Sequence, residues 1–273
     1  MQTRTQTISV KLLFAAVLLL PAAAISAQNP ENFNATIVRG VKAFRVGQFA
    51  DAAKAFQQAL ILDPKSIPAH LYLASAYSSQ VGPNLKTAEN LALADKAIAL
   101  FRQIPAEDRN RYMALKQIAT LYRYTDRPDQ ARNTERATLD LQPDNPDTHY
   151  TIGVIDWMQA YKFATMTLGA AGLTDDGVGN THMDSATCDK ILTHNTPLID
   201  DAITHFTRAV DLKPTYADAM QYLNLAYRRK ADFDCAKPTA RTQDIATADN
   251  WIVKATAARK ANQAEAEAAA APK

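Results

Sequence analysis

Small, bulky and polar positions recur along this chain in a fixed order. Ala52, Phe56 and Ala59 share one helical face, and Pro64 follows twelve residues after Ala52. Ala202, Phe206, Ala209 and Pro214 repeat that spacing, and Ala131 and Pro143 are again twelve apart. A second pattern accompanies the first. Leu73-Ala74 is followed by Tyr77, Ile118-Ala119 by Tyr122, and Leu223-Asn224 by Tyr227. The pattern predicts pairs of antiparallel helices. Small residues such as Gly40, Ala52 and Ala59 let the two helices of a pair approach closely, and Phe56, Leu73 and Tyr77 fill the space between one pair and the next. Pro64, Pro143 and Pro214 cannot continue a helix, so each ends a second helix and starts the turn to the next pair.

These residues resemble the tetratricopeptide repeat family, whose unit is about 34 residues long. The resemblance implies an all-α solenoid of about five helix-turn-helix repeats over residues 28–260. Units start near Phe33, Ile67, Tyr112, Pro146 and Ala217, at intervals of 34, 45, 34 and 71 residues. The second unit therefore carries 11 extra residues and the fourth 37, all expected between the first and second helix of their units. The large insert, about 159–197, holds Gly169, Gly172, Gly177 and Gly179. It begins apolar at Phe163, Met166 and Leu168, turns polar, and reads as a loop with one short helix. In the fifth unit the second helix, with Ala248, Ile252 and Ala255, starts about twelve residues late. Asp156 stands where the other units carry tyrosine. The Ala/Glu-rich tail 261–273 extends the last helix and frays.

The first 27 residues stand outside the repeats. Arg4 and Lys11 make a weakly positive start, Leu12 to Leu20 is an unbroken apolar run, and Pro21 precedes small residues up to Ala27. This is the layout of a signal peptide cut after Ala27, which predicts a periplasmic or secreted protein. Nine apolar residues are too few for a membrane span, which needs roughly 20. Removing Arg4 and Lys11 leaves 28 basic residues against 28 acidic ones, so the mature chain has no excess basic charge to hold nucleic acid.

Catalytic and metal-binding signatures are weak. His182, Cys188 and His194 lie in the insert with His205 just beyond, but their spacing matches no metal motif, so no metal and no cofactor are expected. Asp175-Asp176-Gly177 and Asp184 do not match a calcium loop and read as solvated turn residues. Asp200 and Asp201 read as acids at the start of the fourth unit's second helix, suited to its positive end rather than to acid-base chemistry. No catalytic residue is assigned and the chain is not expected to be an enzyme.

In the family that the repeats resemble, the first helix of each pair faces the concave surface. The resemblance places Lys116, Thr120 and Arg123 there from the third unit, Tyr150, Val154 and Trp157 from the fourth, and Gln221, Leu225 and Arg228 from the fifth. Aromatic residues beside arginine are the usual anchors of protein interfaces. The alternative for Tyr150 and Trp157 is packing under the insert or in the core. The leading expectation is an exported scaffold that binds a peptide or protein partner in this groove. The alternatives are a metal-dependent protein or enzyme built on the His/Cys-containing insert, or a structural part of an envelope assembly. The mature chain has only two cysteines, Cys188 in the fourth unit's insert and Cys235 at the equivalent place in the fifth, and export predicts a disulfide between them.

Overall fold

The computed structural model describes residues 32–235 and 237–270. The leader with its cleavage point at Ala27, and the last residues of the tail, lie outside the described residues. Among the described residues ten helices follow one another: α1 (Phe33–Arg45), α2 (Phe49–Leu62), α3 (Ile67–Ser78), α4 (Ala88–Arg102), α5 (Arg111–Tyr124), α6 (Pro128–Leu139), α7 (Pro146–Ala170), α8 (Ser185–Leu212), α9 (Ala217–Ala231) and α10 (Pro238–Ala270). The same residues contain no strand. Each helix packs on the next, so the chain forms an all-α solenoid of five pairs.

Local chemistry starts these helices where the repeats require. The side chains of Asn32, Ser66, Thr87, Asn145 and Asp184 each accept a hydrogen bond from a backbone N–H in the first turn that follows. Pro128 and Pro146 open α6 and α7, where a missing N–H costs nothing. The small residues of the repeat pattern mark close helix approaches. A Cβ added to Gly153 would lie 2.7 Å from the ring of Phe206, and one at Gly40 would collide with Phe56. The phenylalanine of the second helix thus fills the space that the glycine of the first leaves empty.

The insert differs from the sequence expectation. It is mostly helix: α7 runs on through Phe163, Met166 and Leu168 to Ala170, α8 begins at Ser185, and only 171–184 is non-helical. Ala160, Ala164 and Leu168 form a buried stripe against Ile191 and Ile199 of α8. Asn195 donates to the carbonyl of Ala160 at 2.9 Å within that seam. Burial of this stripe, not local propensity, carries the helix through Gly169. Because α8 starts so early, Asp200 and Asp201 stand mid-helix rather than at its N-terminus, which corrects their expected capping role. In the fifth unit α10 begins at Pro238, ahead of Ala248, so the additional residues there are also helical. The second unit divides its extra residues between the α3–α4 and α4–α5 connections, rather than placing them all between its two helices.

Two anchors fasten the insert to the fifth unit. Cys188 and Cys235 form a disulfide with Cα atoms 6.3 Å apart. Beside it, Arg229 binds Asp232 with one guanidinium nitrogen and Asp175 of the insert loop with another. Arg229 is 4% exposed and Asp232 fully buried. Asn180 of the same loop donates to Asp232, and Arg228 donates to the carbonyl of Gly177 at 2.9 Å. Burial pushes the Asp232 carboxyl up to about 6 even though Arg229 opposes the shift.

Candidate functional site

The first helices α1, α3, α5, α7 and α9 form one row. Cα atoms of α1 and α3, of α3 and α5, and of α7 and α9 approach within 8 Å, but those of α5 and α7 do not. The row therefore parts between the third and fourth units. Near the start of the two helices, Tyr112 Oη and Thr148 Oγ1 lie 3.3 Å apart and span the gap. Farther along, the gap opens into a trough of about 520 Å3 lined by Asn84, Arg123, Asp126, Arg127, Val154, Met158, Tyr161, Lys162 and Thr165 among others. A second hollow of about 510 Å3 lies on the other side of α5, lined by Phe44, Ser75, Gln117, Thr120 and Tyr124 among others. Both hollows are lined by first helices and the turns that follow them.

The structure gives the expected groove residues different surroundings. Arg123 is exposed and lines the trough, with no ion pair or hydrogen bond inside the described residues. Lys116 is half-buried and its ammonium binds Glu135 at 2.7 Å. Burial raises the Glu135 pKa, and the charge of Lys116 opposes it. Tyr150 and Trp157 are half-buried members of one aromatic cluster. Trp157 stacks on Tyr161 and meets Tyr222 edge-on, with ring centroids 5.0 and 5.4 Å apart. Tyr150 packs among Phe206, Tyr216 and Tyr222. Gln221 is half-buried on α9. Arg228 is held by Gly177 of the insert and, at 2.6 Å, by Asp249 of α10. Arg123 thus lines the trough and Trp157 stacks on its wall residue Tyr161, while Tyr150 packs toward α8 and α9 and Lys116 and Arg228 are committed to other parts of the chain.

The His and Cys residues of the insert are dispersed. Cys188 is in the disulfide, His182 is exposed, and His194 stacks on Phe163 and bonds Asn195 at 2.9 Å. Among the described residues, no three His, Cys, Asp or Glu side chains gather as metal ligands do. Asp175, expected to be a solvated turn residue, instead binds the buried Arg229, and Asp184 caps α8.

A titratable chain that sequence reasoning missed lies behind the trough, between α6, α7 and α8. Asp156 is 1% exposed and accepts a hydrogen bond from Arg132 at 2.5 Å. Its second oxygen meets no donor. Burial, then the neighbouring Asp201 carboxylate, pushes its pKa up to about 7. Below about pH 7 Asp156 therefore keeps its proton and donates it in a hydrogen bond to Asp201. Burial works against ionising Asp201, but the bond from Asp156 and the charges of His205 and Arg136 hold its pKa below the ordinary value. His205 Nε2 lies 3.8 Å from Asp201, and its Nδ1 is 2.9 Å from Nδ1 of His149. His149 Nε2 faces the carbonyl of Pro143 at 3.0 Å and so must donate to it. His205 Nδ1–H then donates to His149. Burial holds the His205 pKa below the usual imidazole value. The sequence signal was Asp156 itself, an acid at a position that the other units fill with tyrosine.

The Asp156 proton makes a pH prediction. A carboxyl whose pKa is raised in the fold binds a proton more tightly folded than unfolded. Its contribution is present at low pH and is lost as pH rises from about 4 to about 7. Asp156→Asn keeps an acceptor for Arg132 and a donor for Asp201 but cannot titrate. Between those pH values the stability of the wild type is expected to fall relative to Asp156→Asn, by up to about 1.4 kcal/mol per pH unit. Urea midpoints measured across the range check it; parallel curves for the two proteins reject the shared proton.

No protein-family model and no curated protein matches this sequence. Solved structures do. The crystal structure of MamA protein shares 17% identity, covers 84% of this chain and 92% of its own, and superposes with a TM-score of 0.53. A MamA fragment, 41-end from Desulfovibrio magneticus RS-1, shares 13% identity over 84% of this chain and 96% of its own, with a TM-score of 0.52. At such identities the likeness establishes the fold, which is that of tetratricopeptide repeat proteins.

Proposed function

We propose that this chain is an exported interaction scaffold that binds a protein or peptide partner on the face made by its first helices. The observation that carries the reading is the placement of the two hollows on that one row of helices, with Arg123 exposed in the α5–α7 trough and forming no ion pair among the described residues. An exposed cation beside aromatic side chains on one row of repeat helices suits partner binding. Export is supported by the layout of residues 1–27 and by the disulfide, since disulfides persist in oxidising compartments. The disulfide also takes up Cys188, which removes the sulfur ligand from a metal-dependent reading.

The test is affinity capture of the mature chain's partner from an envelope extract, repeated with Arg123→Ala and Trp157→Ala. Each substitution is expected to weaken the captured partner by roughly 2 kcal/mol or more while the circular dichroism spectrum stays helical. Trp157 also packs between Tyr161 and Tyr222, so its variant should lose stability as well. Unchanged affinity in both variants rejects this face as the binding surface.

A further inference from the structure

We infer that the trough between α5 and α7 is the docking point of the scaffold, and that it takes a polypeptide segment in which a bulky aliphatic side chain is flanked by carboxylates. The inference rests on the scaffold reading and adds the partner's chemistry.

The trough is particular to this chain because two features open it. The α5 and α7 helices do not approach within 8 Å, unlike the other neighbouring first helices of the row. The α7 helix also continues well past the length of α5, so Tyr161, Lys162 and Thr165 build a wall above the α5–α6 turn. The trough's apolar surface comes from Val154, Met158 and Tyr161, and Met158 is 50% exposed. A thioether on a flexible stem adapts to aliphatic side chains of different shapes.

The rim is cationic. Arg123, Arg127 and Lys162 line the trough, and Asp126 is the only acidic residue among the described residues that line it. Asp126 is already engaged by Lys86 at 2.7 Å and by Lys162 at 3.6 Å. The hydrogen bond from Lys86 is the largest of the influences that hold its carboxyl below the usual range, so it stays ionised and neutralises only one of the two lysines. Arg127 binds Asp95 at 2.6 Å and its Nε donates to Thr125 at 2.8 Å, so it adds its charge to the rim. Arg123 forms no ion pair among the described residues. The four cations around the trough thus face Asp126 and Asp95, while Glu135, already bound to Lys116, acts on Arg123 through its charge alone. An incoming carboxylate gains charge-assisted bonds here without breaking an existing pair. An apolar floor beside a cationic rim selects a peptide over a plain polyanion, which would leave the floor empty.

The experiment pans a library of short random peptides, displayed on phage, against the mature chain, and measures the enriched peptides by fluorescence anisotropy. Peptides that pair leucine, isoleucine or methionine with aspartate or glutamate are expected to enrich. Their affinity should fall about 30-fold or more in Arg123→Glu and in Met158→Glu, and should weaken as salt is raised. Both positions are exposed, so neither variant should unfold, and circular dichroism verifies it. Enriched peptides that bind both variants unchanged overturn the trough while leaving the scaffold reading standing. Polyglutamate that binds as well as the mixed peptides overturns the aliphatic requirement and with it the proposal. A library from which nothing enriches counts against the trough and the scaffold reading together.

Discussion

Replacing Arg229 by methionine is expected to cost about 3–5 kcal/mol of stability, because it strands a buried charge. Methionine fills much of the same space, so lost packing is a small part of the effect. The cost arises because Asp232, fully buried, loses the cation that balances it. Asp175 loses its partner too, and with it the insert loop loses one of its ties to α9. The pH dependence identifies the cause. The Asp232 pKa is already raised to about 6 by burial with Arg229 present, and removing Arg229 raises it further. The variant's deficit should therefore be greatest above about pH 7 and shrink in acid, where Asp232 takes up a proton and the buried charge disappears. Asp232→Asn introduced into the Arg229→Met variant should recover part of the loss at neutral pH. Urea titrations at two pH values check this; a deficit below about 1 kcal/mol, or one independent of pH, contradicts it.

Reducing the Cys188–Cys235 disulfide is expected to lower stability by about 4 kcal/mol. The bridge closes a 47-residue separation, and opening it returns that loop's freedom to the unfolded chain. The unreduced protein should show no free thiol under denaturing conditions and migrate as a monomer without reductant. Two titratable thiols per chain, or a urea midpoint indifferent to reductant, contradict the prediction. The bridge and the Arg229 cluster hold the same insert against the end of α9 and the turn that follows it, so their losses should not add. With one anchor gone, the other still holds the loop; with both gone, protease cleavage within 171–184 should rise sharply.

The repeats were legible because their signal is geometric. Gly40 is read from sequence as a close approach, and the ring of Phe56 does occupy the space a side chain would need, as that of Phe206 does at Gly153. The cysteine pairing was legible for a different reason: two equivalent connections and an even count leave few choices. The insert's helices were harder to read because Gly169 and Gly172 argue locally for a loop. The stripe Ala160, Ala164, Leu168 was present in the sequence, but its meaning depended on Ile191 and Ile199 arriving from about thirty residues away to bury it. Charged residues were the least legible. Nothing local separates Arg229, sealed between two aspartates, from Arg123, which is exposed at the trough and forms no ion pair among the described residues. Asp156 announced itself as an anomaly, yet its partners Arg132, Asp201 and His205 belong to a network that only the packing of α6 and α8 on α7 assembles. The trough itself had no sequence signature, since it is a separation between helices rather than a property of either.

Docking of partners on the first-helix face, at the α5–α7 seam, is tested most directly by photo-crosslinking. A benzophenone amino acid is placed at Met158 in the trough, and in a second protein at Gln130, which is exposed on the second helix α6. Each is irradiated in envelope extract, and adducts are resolved by mass. The expected result is a discrete polypeptide adduct from position 158 that an acidic-aliphatic peptide competes away, and none from position 130. Equal adducts from both positions, or an adduct from 130 alone, would contradict docking at the seam.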